Sequence, residues 1–149
     1  MVRTPGSGTV PSRFRRGVGH GGRLVAMNQS RLADADLAAL VPAWLDWAET
    51  ARRLGVSVSK VRTMIREHEL AAAVPTPGAG QQVPADFIQD GMVVKGLSGL
   101  LTMLHDGRYD DRECIAWLFT EDDLPGRPID ALRENRGSEV KRRAQAMAL

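Results

Sequence analysis

A length of 149 residues allows one compact domain or two small ones, and 43% hydrophobic with 26% charged residues is ordinary globular usage. No run reaches the about 18 apolar residues of a membrane span, and a single cysteine, Cys114, excludes an intramolecular disulfide. The formal charge of +2 is uneven: residues 1–33 hold six arginines and no acid, leaving the remainder four negative, which excludes a globally basic surface.

Taken in order, residues 1–33 contain six glycines, Pro5 and Pro11 and few large apolar anchors. That composition predicts a disordered basic tail whose arginines can track phosphates without sequence preference. No apolar segment follows Arg15-Arg16, so a secretory or twin-arginine signal is not expected and the protein reads as cytoplasmic. Thr4, Ser7, Thr9 and Ser12 are accessible hydroxyls for a kinase. One phosphate there cancels about two of the tail's positive charges. Residues 34–43 predict a short amphipathic helix with Leu37, Leu40 and Val41 on its apolar side and Pro42 at its end. Trp44-Leu45 is a short strand or a lead-in to the next helix.

Residues 47–70 predict a helix, a tight turn and a second helix. Trp47, Ala51 and Leu54 share one stripe of the first helix, with Asp46 and Glu49 spaced as a capping box. Gly55 stops this helix, Val56 plugs the corner, and Ser57 caps the second helix. Val58, Val61 and Ile65 predict the buried side of the second helix; Ser59, Lys60, Arg62, Thr63 and Arg66 share a short cationic face. This is the layout by which a braced helix enters the DNA major groove. Ser59, Lys60 and Thr63 are candidates for base edges. Arg62, Arg66, Arg52 and Arg53 are candidates for phosphates, as are the Ser57 hydroxyl and the helix N-terminus. The competing reading is a structural or protein-binding helical hairpin whose cationic face is merely solvated.

Two extended runs, 70–74 and 81–83, flank a Pro/Gly turn and predict a β-hairpin in the position of a wing. It carries no cation between Ala71 and Gln82, so a wing contact rests on amides, Thr76, Gln81 or Gln82, and tight binding by one copy is not expected. Phe87 and Ile88 return the chain to the core, Gly91 turns it, and Met92–Val94 is an apolar run. Beyond this the chain reads as helical. Ser98 caps a helix bearing Leu100, Leu101 and Leu104 and closed by Gly107. Asp110 and Glu113 form a second capping box before Ile115, Leu118 and Phe119, with Cys114 as a small core residue and Glu121 to Asp123 in a loop. Pro128 opens another helix, and Gly137 and Ser138 lead into a last one with Val140, Ala144 and Met147 inward and Lys141, Arg142 and Arg143 in water.

Catalytic signatures are missing from the sequence. His20, His68 and His105 are its only histidines, with no H-x3-H or C-x2-C spacing, so no metal site and no cofactor are expected. There is no G-x-S-x-G, no Walker loop and no G-x-G-x-x-G after a strand, and an enzyme is not expected.

The string A-x-x-L-G-V-S-x-S-x-V at 51–61, with the hairpin and Val83-Pro84, resembles the excisionase and MerR-like winged helix-turn-helix DNA-binding domains. The segment VVKGLSGLLTMLHDGRYDDRECIAWLF at 93–119, with VKRRAQAMAL at 140–149, is more specific. It is similar to a small actinobacterial family typified by a mycobacterial winged-helix DNA-binding protein that is a substrate of a membrane Ser/Thr kinase, PknL. The likeness runs from about Trp44 to the C-terminus. It implies a mainly α fold with a small β-hairpin wing: a winged helix-turn-helix over 34–90 and a family-specific helical C-terminal domain over 91–149, behind the tail at 1–33. It further implies double-stranded DNA as the partner, a role as transcriptional regulator or DNA-associated factor, and control by phosphorylation of the tail, for which Thr4 and Thr9 are the candidates. A second likeness, of 117–149 to the toxin-binding domain of Xre-type antitoxins, implies a protein-interaction module. In that reading the C-terminal helices 91–149 hold a protein partner; in the DNA-binding reading they can hold a homodimer, which raises affinity.

Overall fold

The computed structural model describes Met27, residues 29–121 and residues 126–148. The expected disorder of residues 1–26, the candidate phosphorylation sites Thr4 and Thr9, and Asp122-Asp123 lie outside the described residues. Residues 29–33 are helical and Leu32 is buried, so the folded part includes residues that composition alone assigned to the tail.

Most helices begin where a side chain can satisfy a free backbone N–H. The Asp36 carboxylate accepts the Ala39 N–H at 3.3 Å and starts α1, Leu37–Leu40. Only one turn forms. Val41 precedes Pro42 and is extended (φ −96°, ψ 117°), as the proline ring demands of its neighbour. After β1, Trp44–Leu45, the Asp46 carboxylate accepts the Glu49 N–H at 2.7 Å and opens α2, Trp47–Leu54. The expected capping box is half made, because the Glu49 side chain turns to Arg52 and Arg53 instead. Gly55 ends α2 in the left-handed region (φ 70°), where a side chain costs about 1 kcal/mol or more. The Ser57 hydroxyl accepts the Lys60 N–H at 3.0 Å and opens α3, Val58–Arg66.

The buried side of α3 differs from the expected one. Val61 and Met64 are buried and Ile65 is half-buried, while Val58 is 41% exposed. The i, i+3, i+4 set 61/64/65 meets α2 and the core, and Val58, at the first turn, projects beyond the Gly55 corner. Past α3 the expected hairpin closes through a single antiparallel bridge, Ala73 to Gln82. The following β2, Val83–Pro84, pairs antiparallel with β1 (Trp44 with Pro84, Leu45 with Val83). Pairing with β1 ties the lead-in of α2 to the segment returning from the wing. A 3-10 turn, Ala85–Phe87, then leads to a second hairpin, β3, Ile88–Gln89, and β4, Met92–Val93. Asp90 and Gly91 both have positive φ (55° and 75°), as a two-residue type I′ turn requires. In the run 92–94 only Val94 is buried; Met92 is 67% exposed.

α4, Leu97–Asp106, starts one residue before Ser98, from left-handed Gly96 (φ 89°), and Ser98 lies exposed in its first turn. Leu97, Leu100, Leu101 and Leu104 are buried. Gly107 closes the helix, and the close approach of Ala148 requires a glycine there, since a Cβ would fall 2.6 Å from the Ala148 Cβ. α5, Asp111–Leu118, has the complete Asp110/Glu113 capping box, with bonds of 2.8 and 2.9 Å. Every residue from Glu113 to Phe119 is buried, Cys114 included. α6, Pro128–Arg133, and α7, Gly137–Ala148, complete the described chain; α7 begins at Gly137, so Ser138 is inside it and not its cap. Val140 and Ala144 are buried as expected, and Met147 is half-buried.

A single hydrophobic cluster runs from Leu32 through Met64, Leu70 and Phe87 to Leu104, Trp117, Leu132 and Ala144. Phe87 meets Phe119 with ring centroids 5.8 Å apart. Polar seams reinforce it. The Arg112 guanidinium on α5 donates to the Ala33 and Ala35 carbonyls at 3.1 and 2.7 Å. The Arg133 guanidinium on α6 donates to the Asp86 and Ile88 carbonyls at 2.8 and 3.1 Å. The C-terminal helices are therefore tied to the segments that flank the helix-turn-helix on either side, and α3 keeps its polar face outward.

Candidate nucleic-acid interface

Ser57, Ser59, Lys60, Arg62 and Arg66 are all exposed, and Thr63 is half-buried. The outward side of α3 therefore presents the residues expected of a groove-facing helix, with its N-terminus at the Gly55 corner. Their side chains are not equally available. The Thr63 hydroxyl donates to the Ser59 carbonyl at 3.2 Å and receives the Arg66 guanidinium at 3.4 Å. The Arg62 guanidinium lies 5.4 Å from the centre of the Trp47 ring, a cation–π contact that stacks it back on α2. Among the described residues no hydrogen bond or ion pair engages the side chains of Ser59 or Lys60.

Arg52 and Arg53 lie at the C-terminal end of α2, and both bond to Glu49, Arg53 at 3.0 Å. Hydrogen bonds from Arg52 and then Arg53 hold the Glu49 carboxyl down at about 2 from an ordinary 4.5. A depressed carboxyl keeps its pairing above its ordinary value and loses it only as pH falls toward about 2, so at neutral pH Glu49 is fully charged and engages both arginines. Glu49→Gln is expected to tighten duplex binding several-fold, because the anion that holds both arginines is removed. Fluorescence anisotropy at low salt reads the change; an unchanged affinity places Arg52 and Arg53 away from DNA.

The wing side is bare of charge. Val74 is 40% exposed, and Thr76 and Gln81 are exposed with the glycines between them. Two features escaped the sequence reading. Val58, placed in the expected core stripe, stands on the exposed end of α3. The competing 61/64/65 periodicity, with Met64 in place of Val58, was the signal that would have shown it. His68 follows α3 in the left-handed region (φ 63°) and stacks on His105 of α4 at 3.7 Å. No linear spacing signals that pair, because 36 residues lie between its members. Among the described residues, no helix is long and apolar enough to cross a membrane.

A capped helix–turn–helix with an outward cationic second helix, followed by a strand pair, defines a winged helix-turn-helix protein with a helical C-terminal part. Residues 33–88 match the family described as "DNA-binding protein Rv2175c, wHTH domain", and residues 94–148 match "Rv2175c C-terminal domain of unknown function". DNA-binding protein Rv2175c of Mycobacterium tuberculosis is 44% identical over 117 residues, which span 69% of this chain and 79% of the relative. The NMR structure of Rv2175c superposes with a TM-score of 0.65 at 42% identity, covering 72% of this chain and 82% of that one. The chain belongs to the Rv2175c family of winged-helix DNA-binding proteins.

Proposed function

We propose that the protein is a cytoplasmic transcriptional regulator or DNA-associated factor that reads duplex DNA with α3. The observation that carries this is the open outward face of α3, where the side chains of Ser59 and Lys60 are left unengaged while the helix's other side is locked into the core. The name of its relative, a DNA-binding protein, supports the same reading. Ser59, Lys60 and Thr63 address base edges, and exposed Val58 offers an apolar surface to a thymine methyl. Arg52, Arg53, Arg62 and Arg66 hold phosphates, and the N-terminus of α3 with the Ser57 hydroxyl meets one more. With an uncharged wing, binding by one folded unit is weak, and the arginines of residues 1–26 add sequence-independent affinity. A Ser/Thr kinase acting at Thr4 or Thr9 lowers that contribution by introducing about two negative charges.

A chemical-shift titration of the full chain with a short duplex tests the proposal. The largest shifts are expected at residues 57–66, persisting in a chain that lacks residues 1–26. Loss of all binding on that truncation would make the tail the only DNA contact. The alternative, a protein-interaction module, draws support from a mostly apolar cleft of about 380 Å³ between α4 and α7, lined by Leu100, Met103 and Leu132. A titration with no shift at α3 would favour that alternative.

A further inference from the structure

We infer that His68, His105 and Asp111 form a binding site for one borderline divalent transition-metal ion of the zinc type, set where the end of α3 meets α4 and α5. One ring nitrogen from each histidine and a carboxylate oxygen of Asp111 lie within 4.8 Å of one another. The three residues come from separate parts of the chain, brought together by the fold. His68 is pinned in the left-handed region directly after α3, a conformation uncommon outside glycine. His105 projects from the last turn of α4. Asp111 begins α5, and its Oδ2 accepts the Ala72 N–H at 3.1 Å, which leaves Oδ1 facing the His105 Nε2 at 2.7 Å. A backbone N–H on the distal oxygen is the kind of outer support that orients a ligating carboxylate.

His68 Nδ1 is buried without a hydrogen-bond partner. Buried polar atoms are satisfied in the great majority of cases, and an orphaned imidazole nitrogen beside two further donors points to a missing ligand. The two imidazoles lie against each other, with ring centroids 3.7 Å apart and an interplanar angle of 19°, which brings both rings to the same spot beside Asp111. Bonds of about 2.0–2.1 Å around a tetrahedral ion separate its ligand atoms by about 3.3 Å. Reaching that spacing requires one ring to turn out of the stack, because the in-plane lone pairs of near-parallel rings do not converge on one ion; the ion then stands between His105 Nε2 and Asp111, with the His105 ring proton carried on Nδ1. Two imidazoles and one carboxylate suit zinc, cobalt or nickel rather than magnesium or calcium, which take oxygen ligands. The half-buried position leaves the fourth ligand to water. Such an ion joins the residue that ends α3 to the C-terminal helices, so it stiffens the base of the outward helix without touching its polar face.

The test is a titration of the untagged full chain with Zn2+ against a chromophoric chelator, paired with NMR of the histidine side chains. One ion per chain is expected. His105→Gln and Asp111→Asn each weaken binding by about tenfold or more, and His20→Gln leaves it unchanged. In the unmutated chain one equivalent of Zn2+ shifts the ring resonances of both His68 and His105 and raises the melting temperature, which keeps the test decisive even where a variant folds poorly. Two results overturn the inference: no stoichiometric binding below about 0.1 mM Zn2+, or ring shifts confined to His20. In either case the cluster is a hydrogen-bonded stack and nothing more.

Discussion

Lys60→Ala combined with Arg62→Ala is expected to lower duplex affinity by about tenfold or more at low salt while leaving the fold intact. Both side chains are on the exposed face of α3, and neither makes a hydrogen bond or ion pair among the described residues. The two contributions are separable. Lys60 sits in the first turn, where a base-edge contact carries about 1–3 kcal/mol of discrimination, so its loss relaxes sequence preference. Arg62 is a phosphate candidate, and its loss removes about one unit from the slope of log K against log salt. With Arg52, Arg53, Arg62 and Arg66 as phosphate contacts the folded part should show a slope near −4, falling to about −3 in the variant. The measurement is best made on a chain lacking residues 1–26, so that the tail arginines do not mask the change. Arg62 also covers the Trp47 ring, so a melting curve belongs beside the titration. An unchanged affinity and slope would remove α3 from the interface.

Phe87→Ala is expected to destabilise the whole protein by about 3–5 kcal/mol and to lower Tm by upwards of about 10 °C. Phe87 has no exposed surface and packs on Phe119 of α5, so its removal opens a cavity between the segment returning from the wing and the C-terminal helices. Because one cluster spans Leu32 to Ala144, the loss should appear as a single transition seen equally by Trp47 of α2 and Trp117 of α5. Two separate transitions, with α3 and its surroundings unaffected, would show instead that the halves are energetically independent. The coupling bears on function: a binder whose reading helix rests on the same core as the C-terminal part can be weakened at a distance through that core.

How much of this was legible beforehand follows the range of the interactions. Asp46, Ser57, the Asp110/Glu113 box, Pro128 and Gly55 act within about four residues of themselves, and each does locally what its position implies. The outward face of α3 belongs to the same class, since Ser59, Lys60, Arg62 and Arg66 are polar at successive helical positions whatever lies behind them. Errors of a few residues arose where two local signals competed. Gly96 displaced Ser98 as the start of α4, because a left-handed glycine ended the preceding hairpin there. Val58 and Met64 exchanged roles because both fit a helical stripe and only the position of α2 chooses between them.

The sequence by itself determined the helix-turn-helix, its caps, its polar face and its family likeness, because those depend on near neighbours along one chain segment. Tertiary structure alone decided that β2 pairs with β1 across 37 intervening residues, that one core underlies both parts, and that His68, His105 and Asp111 meet. Contacts between distant segments are selected by the joint burial of apolar surface and the satisfaction of polar groups, a property of the assembled whole that no local spacing encodes.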